Sequence, residues 1–158
     1  MLDGGNLPQV STWRQYCRPT INPVLSEFCT ALTGISQETV SAATTFTEVL
    51  QSFQAWLHHH NLGPSATFAL VTDGPFDVGR FLRLSCLQAG LEVPSWASRW
   101  CNVRKGFANF YQTGREGQGG HVRLPGLQTM LDRLDLEFVG NPHSGLDDAI
   151  NIARVVSR

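Results

Sequence analysis

The run Ala66-Thr-Phe-Ala-Leu-Val-Thr72 is the tightest constraint on what this chain can fold into. It is apolar and partly β-branched without alternation, which is the pattern of a strand buried on both faces inside a helix-covered sheet. Asp73-Gly74-Pro75 closes the run with turn chemistry. A helix is expected next, from Phe76 to Ala89 with Gly90 past its end. A strand feeding a helix through a short turn is half of a strand-helix-strand unit, so the fold class is an α/β layered domain.

The remaining segments fit that class. Residues 10–18 lie between two prolines and carry Val, Thr, Trp, Tyr and Cys, which predicts a strand. Asn22-Pro23 predicts a helix N-cap and first helical residue, ahead of Val24, Leu25, Phe28 and Leu32, with Gly34 as the stop. Thr45-Phe-Thr-Glu48 is a capping box launching a helix with Phe46, Val49, Leu50, Phe53, Trp56 and Leu57 on one face. His58-His59-His60 closes that helix near Asn61 and Gly63. Adjacent helical residues point about 100° apart, so the triplet suits a solvated C-terminal turn beside the helix dipole better than a metal site. Trp100–Val103 predicts a short strand, 105–111 a helix, and Thr113–Gly120, with four glycines, a flexible loop. Helices are expected over 127–134 and 145–156. No internal repeat interrupts the pattern, and residues 1–158 read as a single domain.

Composition excludes several classes. At 158 residues with 42% hydrophobic side chains and 16% charged, the chain can bury one full core. A net charge of −1 argues against a strongly basic nucleic-acid clamp. Eight of the 12 basic residues nevertheless fall at or after Arg99, which leaves open a local basic face or a scattered solvated surface. Cys17, Cys29, Cys86 and Cys101 form no close pair, a poor zinc or disulfide pattern, and are expected to be reduced and mostly packed. No apolar run reaches membrane-spanning length and Met1-Leu-Asp-Gly-Gly has no signal-peptide character, so no membrane partner and an intracellular, cytoplasmic or nuclear, location are expected.

Chemistry concentrates in Pro142-His-Ser-Gly-Leu-Asp-Asp148. An imidazole precedes a helix, and a carboxylate follows five residues later in its first turn. Phosphodiester hydrolysis uses such a pair, one group to take a proton from water and one to hold a divalent metal. Ser144-Gly-Leu-Asp147 also reads as a capping box, which accounts for Asp147 structurally; His143 has no equally good structural explanation. Asp77 begins a helix just beyond a buried strand, where open α/β sheets place ligands, but a helix N-terminus favours an acid there in any case. Arg104 and Lys105, with Phe107, Phe110 and Tyr111, offer phosphate contacts and stacking faces, or simply an amphipathic helix with aromatics in the core.

Three ordered segments carry a resemblance. They are Tyr16-Cys-Arg-Pro19 with Leu25-Ser-Glu-Phe-Cys-Thr-Ala-Leu-Thr-Gly-Ile-Ser-Gln37, then Leu70-Val-Thr-Asp-Gly-Pro-Phe-Asp77, then Pro142 to Asp148 with Asn151-Ile-Ala-Arg154. Together they resemble the histidine subclass of the DEDD 3′→5′ exonucleases, in the Eri and histone-mRNA 3′-exonuclease group. The resemblance implies a ribonuclease-H-like α/β/α sandwich that trims single-stranded RNA 3′ ends with two Mg²⁺ or Mn²⁺ ions. It implies His143 as the general base and Asp77 and Asp148 as metal ligands. A histidine suits the base role because its unperturbed pKa of about 6.5 lies near neutrality.

One element of that family pattern is not found: the Asp-x-Glu of its opening strand. The match begins at Leu2, which implies an N-terminally truncated exonuclease domain lacking the first strand and most of the second. Asp135-Leu136-Glu137 has the right residues in the wrong chain order and is expected to be a solvated loop or edge. Two expectations follow: the chain alone is marginally stable or needs a partner, and the gene model misses an upstream exon. The alternative is a catalytically inactive RNA-binding or scaffold homologue. Protein partners and the particular RNA are not legible.

Overall fold

The structure is a computed structural model and describes residues 11–63, 66–113, 115–116 and 122–158, with 115, 116 and 122 described by backbone alone. The chain forms two compact units. Ala69–Leu82 and Ala97–Arg158 belong to the first, and the described part of Gln9–Phe68 with Arg83–Trp96 forms the second.

In the first unit, strand β1 (Leu70–Thr72) pairs in parallel with β2 (Trp100–Asn102), setting Leu70 opposite Trp100, Val71 opposite Cys101 and Thr72 opposite Asn102. The strand is shorter than the expected 66–72, because its partner supplies only three residues before Asn102 turns into a helix cap. Nor is it buried on both faces: Val71 keeps 36% of its surface exposed, and β2 is the only ladder partner of β1 among the described residues. A π-helical stretch, Asp77–Leu82, follows the Asp73-Gly74-Pro75 turn, where the Thr72 hydroxyl donates to the Gly74 carbonyl at 2.7 Å.

Three helices then build the core of this unit. In α5 (Val103–Tyr111), the Asn102 side chain accepts the Lys105 N–H at 3.2 Å and satisfies an orphan donor of the first turn. With α6 (Leu127–Arg133) and α7 (Gly145–Val156), it packs Val103, Phe107, Met130, Leu131 and Val155 into one cluster. Each such side chain contributes about 1.5–3 kcal/mol when taken out of water. The expected helices over 127–134 and 145–156 match α6 and α7 to within a residue, whereas α5 starts at Val103 rather than 105, because Asn102 caps it and ends the strand one residue early. The expected loop over Thr113–Gly120 is replaced at 115–116 by β3 (Arg115–Glu116), antiparallel to β4 (Val122–Arg123). Residues 114 and 117–121 lie outside the described residues.

The second unit holds α1 (Glu27–Thr33), α2 (Gln37–Ser41), α3 (Phe46–His59) and α4 (Arg83–Gln88). Helix α1 begins later than Asn22-Pro23 predicts. The Ser26 hydroxyl caps it by accepting the Cys29 N–H at 3.2 Å, while Gln37 ties down the preceding residues. Gln37 accepts the Leu25 N–H at 2.7 Å and donates to the Pro23 carbonyl at 2.9 Å, anchoring these residues ahead of the extended N-cap Ser26. Helix α3 matches expectation: the Glu48 carboxylate accepts both the Thr45 N–H and the Thr45 hydroxyl at 2.8 Å, which lowers its pKa, and His60 with the left-handed Asn61 ends the helix. Phe53 gathers Trp13 and Trp96 against it at 5.1 and 5.5 Å.

The strand predicted over 10–18 is reduced to a single Cys17–Thr44 bridge among the described residues, with Val10 outside them. The partner side gives out at once because Thr45 becomes the N-cap of α3. All four cysteines are free as expected, but only Cys86 is buried. Cys17 sits on that lone bridge, Cys29 on a helix with no buried residue, and Cys101 opposite exposed Val71, so the expectation of packed thiols fails for these three.

Candidate active site

The loop before α7 is wound around two acids of its first turn. Ser144 is the N-cap, but its side chain makes no capping bond, so the expected capping box is not formed. Asp147 turns back instead and accepts the Asn141 N–H at 3.0 Å. Gly140 makes room for it: its φ is +89°, and a Cβ there would lie 2.5 Å from the Asp147 Cγ. His143 is also left-handed, at φ 69°, and its backbone N–H donates to Asp148 Oδ1 at 3.3 Å. A non-glycine residue in that region is uncommon, and here the bonds on both sides of it hold the turn.

A cavity of about 690 Å³ in the first unit opens beside this loop, with Thr72, Asp73, Asp77, Arg104, His143 and Asp148 among its lining residues. The end of β1, the first residue of the π-helical stretch, the first turn of α5 and the first turn of α7 thus meet at one place. The three residues singled out from sequence, Asp77, His143 and Asp148, come together. Asp77 and His143 are exposed, whereas Asp148 is half-buried, and desolvation raises its pKa. The Asp73 and Asp147 charges push the same way, and the His143 N–H bond and charge oppose them.

Arg104 is committed within this cavity. Its Nε donates to Asp73 Oδ1 at 2.7 Å and its Nη2 to Asp73 Oδ2 at 2.6 Å, a two-pronged pair that raises the pKa of the arginine. Lys105 does not line the cavity and is exposed. Of the aromatics on α5, Phe107 is core, Tyr111 packs against the core, and Phe110 stays 78% exposed. The Asp135-Leu136-Glu137 run does not reach the cavity: Leu136 packs on the core, and the Glu137 carbonyl accepts from Arg154.

Sequence reading missed two features. Asp73 was explained by its turn alone, and nothing in the spacing linked it to Arg104, 31 residues on. Asn151 is fully buried, and the signal for it was available: it lies four residues before buried Val155, on the inward stripe of α7, where a polar side chain must find partners.

Asp77 and Asp148 offer carboxylate oxygens of the kind a hard divalent cation takes. Mg²⁺ is commonly held by one or two carboxylates plus substrate phosphate, and these two residues fit that minimal arrangement. Among the described residues no group of three or more His, Cys, Asp or Glu side chains could hold a metal ion, and Asp73 is engaged with Arg104. By donor chemistry alone, Asp77 and Asp148 suit one cation shared with a substrate and fall short of what a pair needs.

The exonuclease family model matches residues 2–156. The chain belongs to the exonuclease family. Its place within that family is the DEDDh 3′→5′ group of the Eri and histone-mRNA exonucleases, with their ribonuclease-H-like fold. It is 39% identical over 158 residues to 3′-5′ exoribonuclease 1 of Rattus norvegicus, covering 100% of this chain and 44% of the relative. It is 32% identical over 156 residues to ERI1 exoribonuclease 3 of Bos taurus, covering 98% of this chain and 44% of the relative. The chain thus spans less than half the length of these curated relatives. Among solved structures, the nuclease domain of 3′hExo, a DEDDh family member bound to rAMP, superposes with a TM-score of 0.88 at 39% identity, covering 99% of this chain and 75% of that one. Cell-death related nuclease 4 superposes with a TM-score of 0.78 at 28% identity, covering 91% of this chain and 48% of that one. DEDDh exonucleases depend on divalent metal.

Proposed function

We propose that this chain carries out 3′→5′ exoribonucleolytic hydrolysis, removing nucleotides from single-stranded RNA 3′ ends. The supporting observation is the meeting of Asp77, His143 and Asp148 on one cavity, each from a different local structure and each at the sequence position the family resemblance assigns. His143 is the general base: its exposed imidazole, beside the cavity, takes a proton from the attacking water. The Asp148 carboxylate holds the backbone of His143 in place, and Asp77 faces the same space. Asp77 and Asp148 would hold Mg²⁺ or Mn²⁺, which when bound offsets charge on the phosphodiester. A second ion belongs to an intact family site and would need donors beyond those described.

RNA as the substrate class rests on the relatives, which are named exoribonucleases, and on a neighbour that recognises the 3′ end of a histone mRNA stem-loop. Lys105, exposed one residue from Arg104, is proposed to contact phosphate; Arg104 acts there through its pair with Asp73. The test is a 5′-labelled linear RNA incubated with the chain and Mg²⁺ or Mn²⁺. Stepwise shortening that EDTA stops, with a circular RNA left intact, is the expected result. Cleavage of the circle, or binding without shortening, would overturn the reading, and the latter would mark a non-catalytic scaffold.

A further inference from the structure

Asn151 is the only buried polar or charged residue among the described ones, with no exposed surface at all. Its amide is fully used. Oδ1 accepts the Val139 N–H at 3.1 Å, and Nδ2 donates to the Val139 carbonyl at 2.8 Å, so one side chain reads both backbone groups of one residue as a ladder partner would. Nδ2 also donates to the Asp147 carbonyl at 2.8 Å, inside the first turns of α7. Arg154, one turn further on, donates from Nη1 to Asn151 Oδ1 and to the Glu137 carbonyl, both at 2.7 Å. Two side chains of α7 thus clamp the segment 137–139 to the helix.

That segment leads directly into the loop that presents His143, and Asp148 sits on the clamped helix. The path from Val139 to Ser144 is short and tightly determined: Gly140 at φ 89°, the Asn141 N–H on Asp147, then His143 at φ 69° on Asp148. Fixing Val139 against Asp147 fixes both ends of this loop. We infer that Asn151 is a positioning residue that holds the His143 loop in register with Asp148, with Arg154 bracing its oxygen. Only an asparagine-like amide does this, because the site needs an acceptor and two donors at fixed geometry. The catalytic consequence rests on the proposed roles of His143 and Asp148; the clamp itself does not.

The experiment uses the 158-residue chain with Asn151→Asp and Asn151→Ala, read by amide hydrogen exchange and by nuclease kinetics on labelled RNA. Asn151→Asp keeps the acceptor for Val139 and removes both donors. The expected result is exchange at least tenfold faster for Asn141, His143 and Ser144 in both variants, and for Val139 mainly in Asn151→Ala. Phe107 and Leu131, in the core of α5 and α6, keep wild-type protection in Asn151→Asp. The nuclease kcat falls at least tenfold with KM within about twofold. Unchanged exchange in the loop would overturn the inference, as would an equal rise across loop and core in Asn151→Asp, which would make Asn151 an ordinary core residue. Wild-type kcat in variants with a loosened loop would also overturn it. If the wild-type chain releases no nucleotide while the exchange pattern holds, the exonuclease reading fails and the clamp stands.

Discussion

Arg104 and Asp73 form a two-pronged ion pair, with Nε–Oδ1 at 2.7 Å and Nη2–Oδ2 at 2.6 Å, between the end of β1 and the first turn of α5. Both groups are partly shielded, with side chains 37% and 25% exposed, and the pair keeps a third carboxylate of the cavity neutralised. Arg104→Ala leaves Asp73 uncompensated beside Asp77 and Asp148. It should cost about 1–2 kcal/mol in denaturant unfolding, a value already reduced for solvent screening. Arg104→Lys should recover only part of this, because an ammonium cannot reproduce the fork.

Gly140→Ala should destabilise the chain by about 2 kcal/mol. Left-handed backbone is strained for alanine by about 1–2 kcal/mol, and the new Cβ would sit 2.5 Å from the Asp147 Cγ. Chemical denaturation measures the loss. Faster exchange of the Asn141 amide, whose bond to Asp147 is displaced, is the local signature.

Asp148 has a folded-state pKa raised chiefly by desolvation, so its charged form is disfavoured in the native chain. A raised carboxyl binds its proton more tightly when folded. The contribution favours the native state below the unfolded pKa and is lost as pH rises through the folded pKa. Asp148→Asn should therefore raise Tm at neutral pH, by about 1–3 °C, and the gain should vanish as pH falls below the ordinary carboxylate range. Thermal melts of both chains across that range test the sign.

Lys105→Ala should weaken RNA binding uniformly across sequences, by about two- to threefold, and reduce the salt slope of binding by about 1. Binding titrations at several salt concentrations measure both. An exposed lysine outside the cavity has no reason to change kcat.

Much of this site was legible in the chain. Helix signals worked where a local bond enforces them, as at Thr45 with Glu48, and the expected helix over 145–156 is α7; the Asn102 cap of α5 lies inside a segment that reads as a strand. Strands were over-read, because a ladder needs a partner that composition does not reveal; Ala66–Thr72 keeps three ladder residues and 11–18 keeps one bridge. Asp77, His143 and Asp148 were found through motif and resemblance. Asp147 reads as a cap residue and instead braces the loop at Asn141, since its short carboxylate can turn to either backbone neighbour. The Asp73–Arg104 pair and the Asn151 clamp depend on tertiary proximity, which one-dimensional spacing leaves open.

The most direct test of the account is the release of mononucleotide from 3′-labelled single-stranded RNA with Mn²⁺, comparing the wild-type chain with His143→Ala. The account predicts release by the wild-type chain and a loss of at least 100-fold in the variant, whose melting curve and RNA affinity stay close to wild type because the imidazole is exposed and makes no core contact. Undiminished release by His143→Ala, or tight RNA binding with no release by either chain, would contradict it.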